Sequence, residues 1–401
     1  MTLHVFNPEH DLALAANLEN FTAPRAGRQL HCDLGFLSML WAGAGDRVLV
    51  DEVEKAADSF QQVALAAKDC LGREIRCVAS WQSSDAIIKD VYAVEPWGWD
   101  AALRRRLRMM GVDVSALPDD IQLRGIRELS HRRTAARLLG LLRDDSPHDT
   151  IGELPVECFT TDDVADAVTR FRHAVIKAPW SSSGRGLRFV RTDAEKPSWQ
   201  ADSALQGWLR NVIEKQGSVM VEPLYDKVKD FGMEFESQAD GTVAYCGLSL
   251  FHTVNGAYTG NILATENVKR EMMGRYVSLE TLDRVKESIC RHLAVILQGS
   301  YRGPLGIDMM VCNNVLADGK SARAELVTGQ KERVNEDNSL LIHPCVEINL
   351  RRTMGHVALA LTPASDERVA VMQILPPSPK CSSPRYRMTL SKSAPPLRAL
   401  S

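Results

Sequence analysis

Apolar positions along this chain follow two rhythms. LHVF, RVLVDE, EIRCVAS and VYAVEP are short apolar runs, whereas FLSMLWAGAG and AADSFQQVALAAKDCLG repeat apolar residues at three and four. The first pattern predicts strands and the second helices. Strands alternating with helices favour a mainly parallel sheet, so an α/β domain is predicted over residues 1–115. A helix is predicted from Glu128 through LSHRRTAARLLGLLRDD, with Ser130 as its N-cap. DSPHDTIGELP reads as a loop. After it come a strand (VECFT), a helix opened by TTDD, the strand HAVIKAP, a small-residue loop, and the strands LRFVR and SVMVEPL.

Beyond Tyr225 the pattern turns antiparallel: DFGMEFESQ, TVAYCGLSLFHT, a long helix VSLETLDRVKESICRHLAVILQG, then GPLGIDMMV and CVEINLR. No internal repeat is present. From Pro376 the chain is dense in Pro and Ser, and residues 376–401 are predicted to be a weakly ordered tail.

Composition narrows the class. The 401 residues leave room for two or three domains, and a hydrophobic share of 45% with 25% charged residues is that of an ordinary globular protein. A net charge of −3 excludes a global basic field, so no nucleic-acid partner is expected. The one basic run, RRRLR at 104–108, reads as a solvated helix face. Nine scattered cysteines, never spaced CxxC, point to neither a disulfide framework nor a structural zinc, and reduced thiols in the cytoplasm are expected. The opening MTLHVFNPEHD has no leader pattern, and no apolar run is long enough for a bilayer, so no membrane association is expected.

Candidate chemistry begins at VIKAPWSSSGRGLRFV. Lys177 closes an apolar strand, and the loop after it is short of side chains. Phosphate oxygens need a cation and close backbone N–H donors, which small residues expose. The lysine precedes the glycines, so this is not a Walker A loop. Two readings stand at this point, a phosphate cover and a β-hairpin with a lysine at its base. Further along, SVMVEPL ends at Glu222 and Leu224, a strand end whose main-chain groups suit an adenine ring, and Asp230 follows at a distance suited to ribose hydroxyls. Asp308 lies in the apolar strand GPLGIDMMV, while Glu347 and Asn349 lie two apart in another. Alternation puts those two on one face. A carboxylate in an apolar strand needs a cation or donor opposite it. Asp, Glu and Asn supply the hard oxygens magnesium takes; a buried salt bridge to Arg351 or Arg352 is the other reading.

In this order, Lys177 with its serine–glycine loop, Glu222–Leu224, Asp308 and Glu347-x-Asn349 resemble the ATP-grasp superfamily over roughly residues 128–361. The N-terminal part looks like the α/β domain that commonly precedes that fold. The resemblance implies two α+β lobes holding ATP between them: a small lobe at 116–225 with a glycine-rich lid, and a large lobe at 226–375 with a magnesium site. It implies that Lys177 neutralises phosphates and that Ser181, Ser182, Ser183, Gly184 and Gly186 cover them. Arg132, or else Arg133, would be the second basic residue, where lysine is common in the family. Glu222 and Leu224 would meet adenine, Asp230 the ribose, and Asp308, Glu347 and Asn349 the magnesium ion. The interval between Asp308 and Glu347 is longer than in many relatives and reads as an extended hairpin or an inserted loop.

The activity implied is an ATP- and magnesium-dependent ligase that joins a carboxylate to an amine through an acyl phosphate. Arg351, Arg352 and Arg185 would provide cations for the transferred phosphoryl group. The implied partners are a small-molecule or peptide carboxylate and an amine co-substrate, and a homodimer is one arrangement open to the chain. A kinase of the same fold acting on a hydroxyl, and a non-catalytic nucleotide-binding protein, are the alternatives. Three further stretches bear on substrate. Asn7, Glu9, His10 and Asp11 in FNPEHDLALA stand where a parallel sheet binds ligands, although Asn7-Pro8 also fits a helix cap. Tyr258 and Asn261 lie in a turn-rich segment that also fits a hairpin, and Trp97 or Trp99 would form a wall or a buried seam.

Overall fold

The computed structural model describes residues 1–181, 186–192, 199–254, 257–316, 340–377 and 385–393. It opens with β1 (Thr2–Val5), α1 (His10–Ala16), α2 (Arg25–Leu34), a 3₁₀ turn (Gly35–Leu40), β2 (Arg47–Val50), α3 (Val53–Leu71), β3 (Ser80–Ser83), β4 (Ala93–Pro96) and α4 (Ala101–Met109). The four strands form a parallel sheet in the order β3-β2-β1-β4. Both faces are covered, which is why the strands read as continuous apolar runs. Val48 and Val50 pack with Phe60, Val63 and Ala67 of α3, while Leu3, Val5 and Leu49 pack with Leu103 and Leu107 of α4. Two elements are shorter than their patterns. EIRCVAS joins the sheet only from Ser80, because its partner β2 begins at Arg47, opposite Ser80. FLSMLWAGAG makes a 3₁₀ turn rather than an α-helix, since the seven residues between Gly35 and Gly43 are too few to propagate one.

Next come α5 (Asp120–Leu129) and α6 (Arg132–Asp145). The predicted start at Glu128 with Ser130 as cap is corrected here. The chain is already helical from Asp120, with a capping box between Asp119 and Gln122. The Ser130 hydroxyl is spent backward on the Ile126 carbonyl at 2.7 Å. The cap of α6 is His131, whose Nδ1 accepts from the Arg133 N–H at 3.0 Å. Arg132 is therefore the first residue of α6.

The small lobe holds β5 (Val156–Cys158), α7 (Thr161–Phe171), β6 (His173–Lys177), β7 (Leu187–Arg191), α8 (Ser203–Gln216) and β8 (Val219–Pro223). Its antiparallel sheet runs β5-β8-β6-β7 over a core that includes Val164, Ile176, Leu209 and Val221. The large lobe follows with β9 (Tyr225–Ser237), β10 (Val243–Ser249), β11 (Phe251–Val254), β12 (Ala257–Leu263), α9 (Glu266–Met273), α10 (Leu279–Leu297), β13 (Gly303–Leu316), β14 (Leu340–Asn349), α11 (Met354–Ala360), β15 (Ala370–Leu375) and β16 (Arg387–Lys392). These strands make two antiparallel sheets, β10-β9-β13-β14 and β11-β12-β15-β16. Helices α6 and α10 bury the first sheet's inner face, with Leu138, Ile289, Phe231, Ile307 and Ile348 in one core.

The predicted tail is also corrected. Arg387–Lys392 pairs with β15 along all six residues, and Met388 and Leu390 join the core that holds α3. Flanking Pro and Ser residues hide this alternation in the sequence. The long interval between Asp308 and Glu347 is partly strand, since β13 extends to Leu316 and β14 starts at Leu340; residues 317–339 lie outside the described residues. Among the described residues no helix is long and apolar enough to cross a membrane.

Candidate active site

Strands β13 and β14 put three oxygen-bearing side chains on one face. Asp308 is opposite Glu347, and Gly306 is opposite Asn349. Alternation sends Ile307, Met309 and Ile348 the other way, into the core under α6 and α10. The register slips between Asp308 and Met310, beside Pro344, whose ring nitrogen has no N–H for the ladder. Burial pushes the Asp308 carboxyl up to about 7, with the negative charges of Glu347 and Glu234 adding to it. Arg351 and a hydrogen bond from Asn349 Nδ2 at 3.2 Å pull the other way. A carboxyl raised in this manner marks a place short of positive charge. Two carboxylates and a carboxamide oxygen fit magnesium, which takes few protein ligands and completes its shell with water and phosphate. Among the described residues no three His, Cys, Asp or Glu gather to hold a metal, so such an ion would depend on those outside ligands.

The second group of residues comes from the small lobe. Lys177 ends β6 and pairs with Glu222 of β8, and both are more than nine-tenths buried. Arg132 joins this group to the first. Its Nε donates to the Ala178 carbonyl at 3.0 Å, and its Nη2 meets Ser181 Oγ at 3.3 Å and Glu347 Oε1 at 2.9 Å. Arg133 turns away to Glu157, 3.1 Å distant and half exposed, so of the two arginines Arg132 is the one at the site. Convergence also registers on the buried thiol of Cys345. Burial raises its pKa most, Asp308, Glu347 and Glu222 push the same way, and Lys177 opposes them. Asp308, Glu347, Glu222 and Lys177 therefore all bear on one atom in β14.

Around the lysine, the Pro–Trp pair of APW is an anchor for the loop. Trp180 is buried, donates from Nε1 to the Arg127 carbonyl at 3.0 Å, lies under the Arg127 guanidinium and meets the His131 ring edge-on. The loop's stems close on each other through the Ala178 N–H to the Gly186 carbonyl at 2.9 Å, and a side chain at Gly186 would overlap Ser181. Ser182, Ser183, Gly184 and Arg185 lie outside the described residues.

One expected adenine contact is corrected. The Leu224 N–H already donates to the His173 carbonyl at 2.8 Å, because the pairing of β6 with β8 continues past Pro223. Asp230 lies on the face of β9 away from the core residues Phe231 and Met233, and accepts from Lys227 and from Thr253 Oγ1, each at 2.6 Å. Sequence reasoning passed over two neighbours. His343 is fully buried beside Tyr225, and burial together with the Lys177 charge holds its pKa down to about 3. Glu234 packs against Gly306 and Gly355, and its Oε2 stands 3.0 Å from His356 Nδ1. His343 reads as core in isolation, so no sequence signal marks it; Glu234, between Met233 and Phe235, shows the same carboxylate-in-an-apolar-strand signal as Asp308.

The N-terminal domain closes the other side. Arg351 Nε and Nη2 donate to the two oxygens of Asp11 at 2.9 and 2.8 Å. Arg352 pairs with Glu95 at 3.1 Å, stacks over Trp41, and donates its backbone N–H to the Trp97 carbonyl at 2.8 Å. Both arginines are held by carboxylates of the N-terminal domain, Arg351 by Asp11 of α1 and Arg352 by Glu95 of β4. Asn7 is no helix cap: its Nδ2 donates to the Gly98 carbonyl at 2.8 Å and to Asp100 at 3.1 Å, tying β1 to the end of β4. Glu9 pairs with His31, and His10 packs on Gly98 near Asp100. Tyr258 donates to Asn261 inside a strand pair, and Trp97 and Trp99 pack into cores.

No family profile matches the chain, and neither does any curated protein. Solved structures do. N5-carboxyaminoimidazole ribonucleotide synthetase from Thermus thermophilus is 14% identical, with 100% of this chain and 95% of that one covered at a TM-score of 0.46. The N5-carboxyaminoimidazole synthetase from Staphylococcus aureus, complexed with ADP, is 10% identical, covers 93% and 82%, and scores 0.43. The biotin carboxylase domain of the 2-oxoglutarate carboxylase from Hydrogenobacter thermophilus, in complex with MgADP, ADP and bicarbonate, is 11% identical, covers 94% and 74%, and scores 0.46. Such identities leave the roles of side chains to this chain's own geometry.

Proposed function

We propose that this protein is an ATP- and magnesium-dependent ligase that joins a carboxylate to an amine through an acyl phosphate. The observation that carries this reading is the meeting of Lys177 and Glu222 with Asp308, Glu347 and Asn349 around β14, bridged by Arg132. Lys177 and Arg132 would neutralise phosphate oxygens, and each now holds a carboxylate that a nucleotide or an ion would release. Asp308, Glu347 and Asn349 would hold magnesium, which supplies charge neutralisation at the transferring phosphoryl group. Phosphoryl transfer depends chiefly on placement and on such charge compensation. Trp180 anchors the chain just before Ser181, the last described residue ahead of the serine–glycine segment that this reading sets against the phosphates. The eight described cysteines are free thiols, which suits the cytoplasm.

The test is ADP release by the purified chain across pairs of carboxylates and amines, with magnesium present. Inorganic phosphate formed together with a coupled product supports the ligase. ADP with a phosphorylated hydroxyl product would make it a kinase, and nucleotide binding without turnover on any pair would leave a binding protein.

A further inference from the structure

Arg351 has a partner for every nitrogen. Nε and Nη2 hold Asp11, Nη1 donates to the Arg352 carbonyl at 3.1 Å, and the second hydrogen of Nη2 goes to Asn349 Oδ1 at 2.8 Å. A guanidinium so occupied cannot swing toward a phosphate without surrendering Asp11. Its effect falls instead on the Asn349 amide. With a donor at one end and the Asp308 carboxylate at the other, only one of the two amide orientations satisfies both neighbours, oxygen toward Arg351 and nitrogen toward Asp308. Oδ1 is the atom of that side chain able to ligate a hard cation, and its second lone pair is left for one.

We infer that Asp11 is a positioning residue for the cation site: by gripping Arg351 along two N–H directions it sets the Asn349 carboxamide, so the N-terminal domain shapes magnesium binding without touching the ion. This rests on the proposed reading of Asp308, Glu347 and Asn349 as magnesium ligands. Partners of metal ligands commonly matter to affinity by about 10-fold to 100-fold. The adjacent clasp supplies a control. Arg352 and Glu95 join the same two parts of the molecule, and that contact leads to none of the three oxygen donors. If Asp11 merely glued the domains, the two clasps would be equivalent.

The experiment is calorimetric titration of ATP binding against magnesium chloride in the full chain, for wild type, Asp11→Asn, Asp11→Glu and Glu95→Gln, with thermal melts alongside. The Asp11→Asn chain is expected to need about 10-fold to 100-fold more magnesium at the midpoint. Asp11→Glu, which keeps the charge but moves it by one methylene, should fall between that variant and wild type. The Glu95→Gln midpoint should stay at the wild-type value. Wild-type behaviour of Asp11→Asn overturns the inference, and so does a Glu95→Gln shift of equal size. Should Asp11→Asn fail to fold, Asp11→Glu decides: a raised midpoint supports positioning and an unchanged one refutes it. Wild type that binds no ATP at any magnesium concentration would overturn the nucleotide reading itself, an outcome distinct from binding that ignores Asp11.

Discussion

Lys177 and Glu222 illustrate how one contact carries both stability and function. Each is buried, so removing either leaves an uncompensated charge in the protein. Breaking a buried pair at one partner costs about 3–5 kcal/mol, whereas replacing both by apolar groups is often neutral. Lys177→Met is therefore expected to lower the urea midpoint strongly, and Lys177→Met with Glu222→Leu to regain most of it. Nucleotide binding should remain lost in both, because the cation is gone. Chemical denaturation and ATP calorimetry on the same samples check this, and recovery of binding in the double variant would remove Lys177 from the phosphate site. Gly355 is a second case. A methyl group there would overlap Glu234 Oε1 and crowd Ser249 Oγ. Overpacking of this kind costs about 1–3 kcal/mol, so Gly355→Ala should melt lower than wild type in a thermal scan while keeping its secondary structure by circular dichroism.

Among the elements, α6 matters most, since its start decides which arginine reaches Glu347. His131 caps it as an acceptor, and burial, followed by the charges of Arg133, Arg127 and Arg132, depresses its pKa to about 3. A free histidine titrates near about 6.5. The folded chain thus holds His131 neutral over a range where the unfolded chain binds a proton, so its contribution is complete above about 6.5 and declines as pH falls from there toward 3. His343 acts in the same direction. Melting temperature should therefore drop between pH 7.5 and 5, and His131→Asn, which keeps an N-cap oxygen but cannot titrate, should flatten part of that drop in a calorimetric pH series. Several residues of the candidate site are conspicuous in the sequence. A carboxylate inside an apolar strand, or a lysine ahead of a small-residue loop, conflicts with its surroundings strongly enough to stand out. The sequence put Arg132 ahead of Arg133 but misplaced the start of α6, because Ser130 looks a better cap than histidine until its hydroxyl is seen bonded backward. The Leu224 amide was misjudged because its availability depends on how far β6 pairs with β8, a fact about the neighbouring strand. His343 carries no local mark, since only distant partners distinguish it from a core residue, whereas Glu234, a carboxylate between Met233 and Phe235, carries the same mark as Asp308 and was overlooked.

At the scale of the molecule, the predicted division at residue 115 does not coincide with a division of the core. Phe60, Val63 and Ala67 of the N-terminal helix α3 share one apolar cluster with Leu263, Val357, Leu361 and Met372 of the large lobe, and with Met388 of the last strand. The charged clasps Asp11–Arg351 and Glu95–Arg352 lie along the same junction. Apolar burial shared between two parts makes their unfolding cooperative, because neither can open without exposing the other's surface. The N-terminal domain and the large lobe should then melt in a single transition. Met388→Ala tests this from the far end of the sequence: deleting a buried methionine side chain costs about 2–5 kcal/mol, and Met388 is 8% exposed. The expected outcome is a lower midpoint for the whole transition, with hydrogen exchange accelerated in α3 as well as in β15. Exchange faster in β15 and β16 alone, with α3 unchanged, would mean that the last strand is local trim and that the two parts unfold independently. A shared response in α3 would instead mean that a strand from the opposite end of the sequence helps hold the N-terminal domain, and with it Asp11, against Arg351.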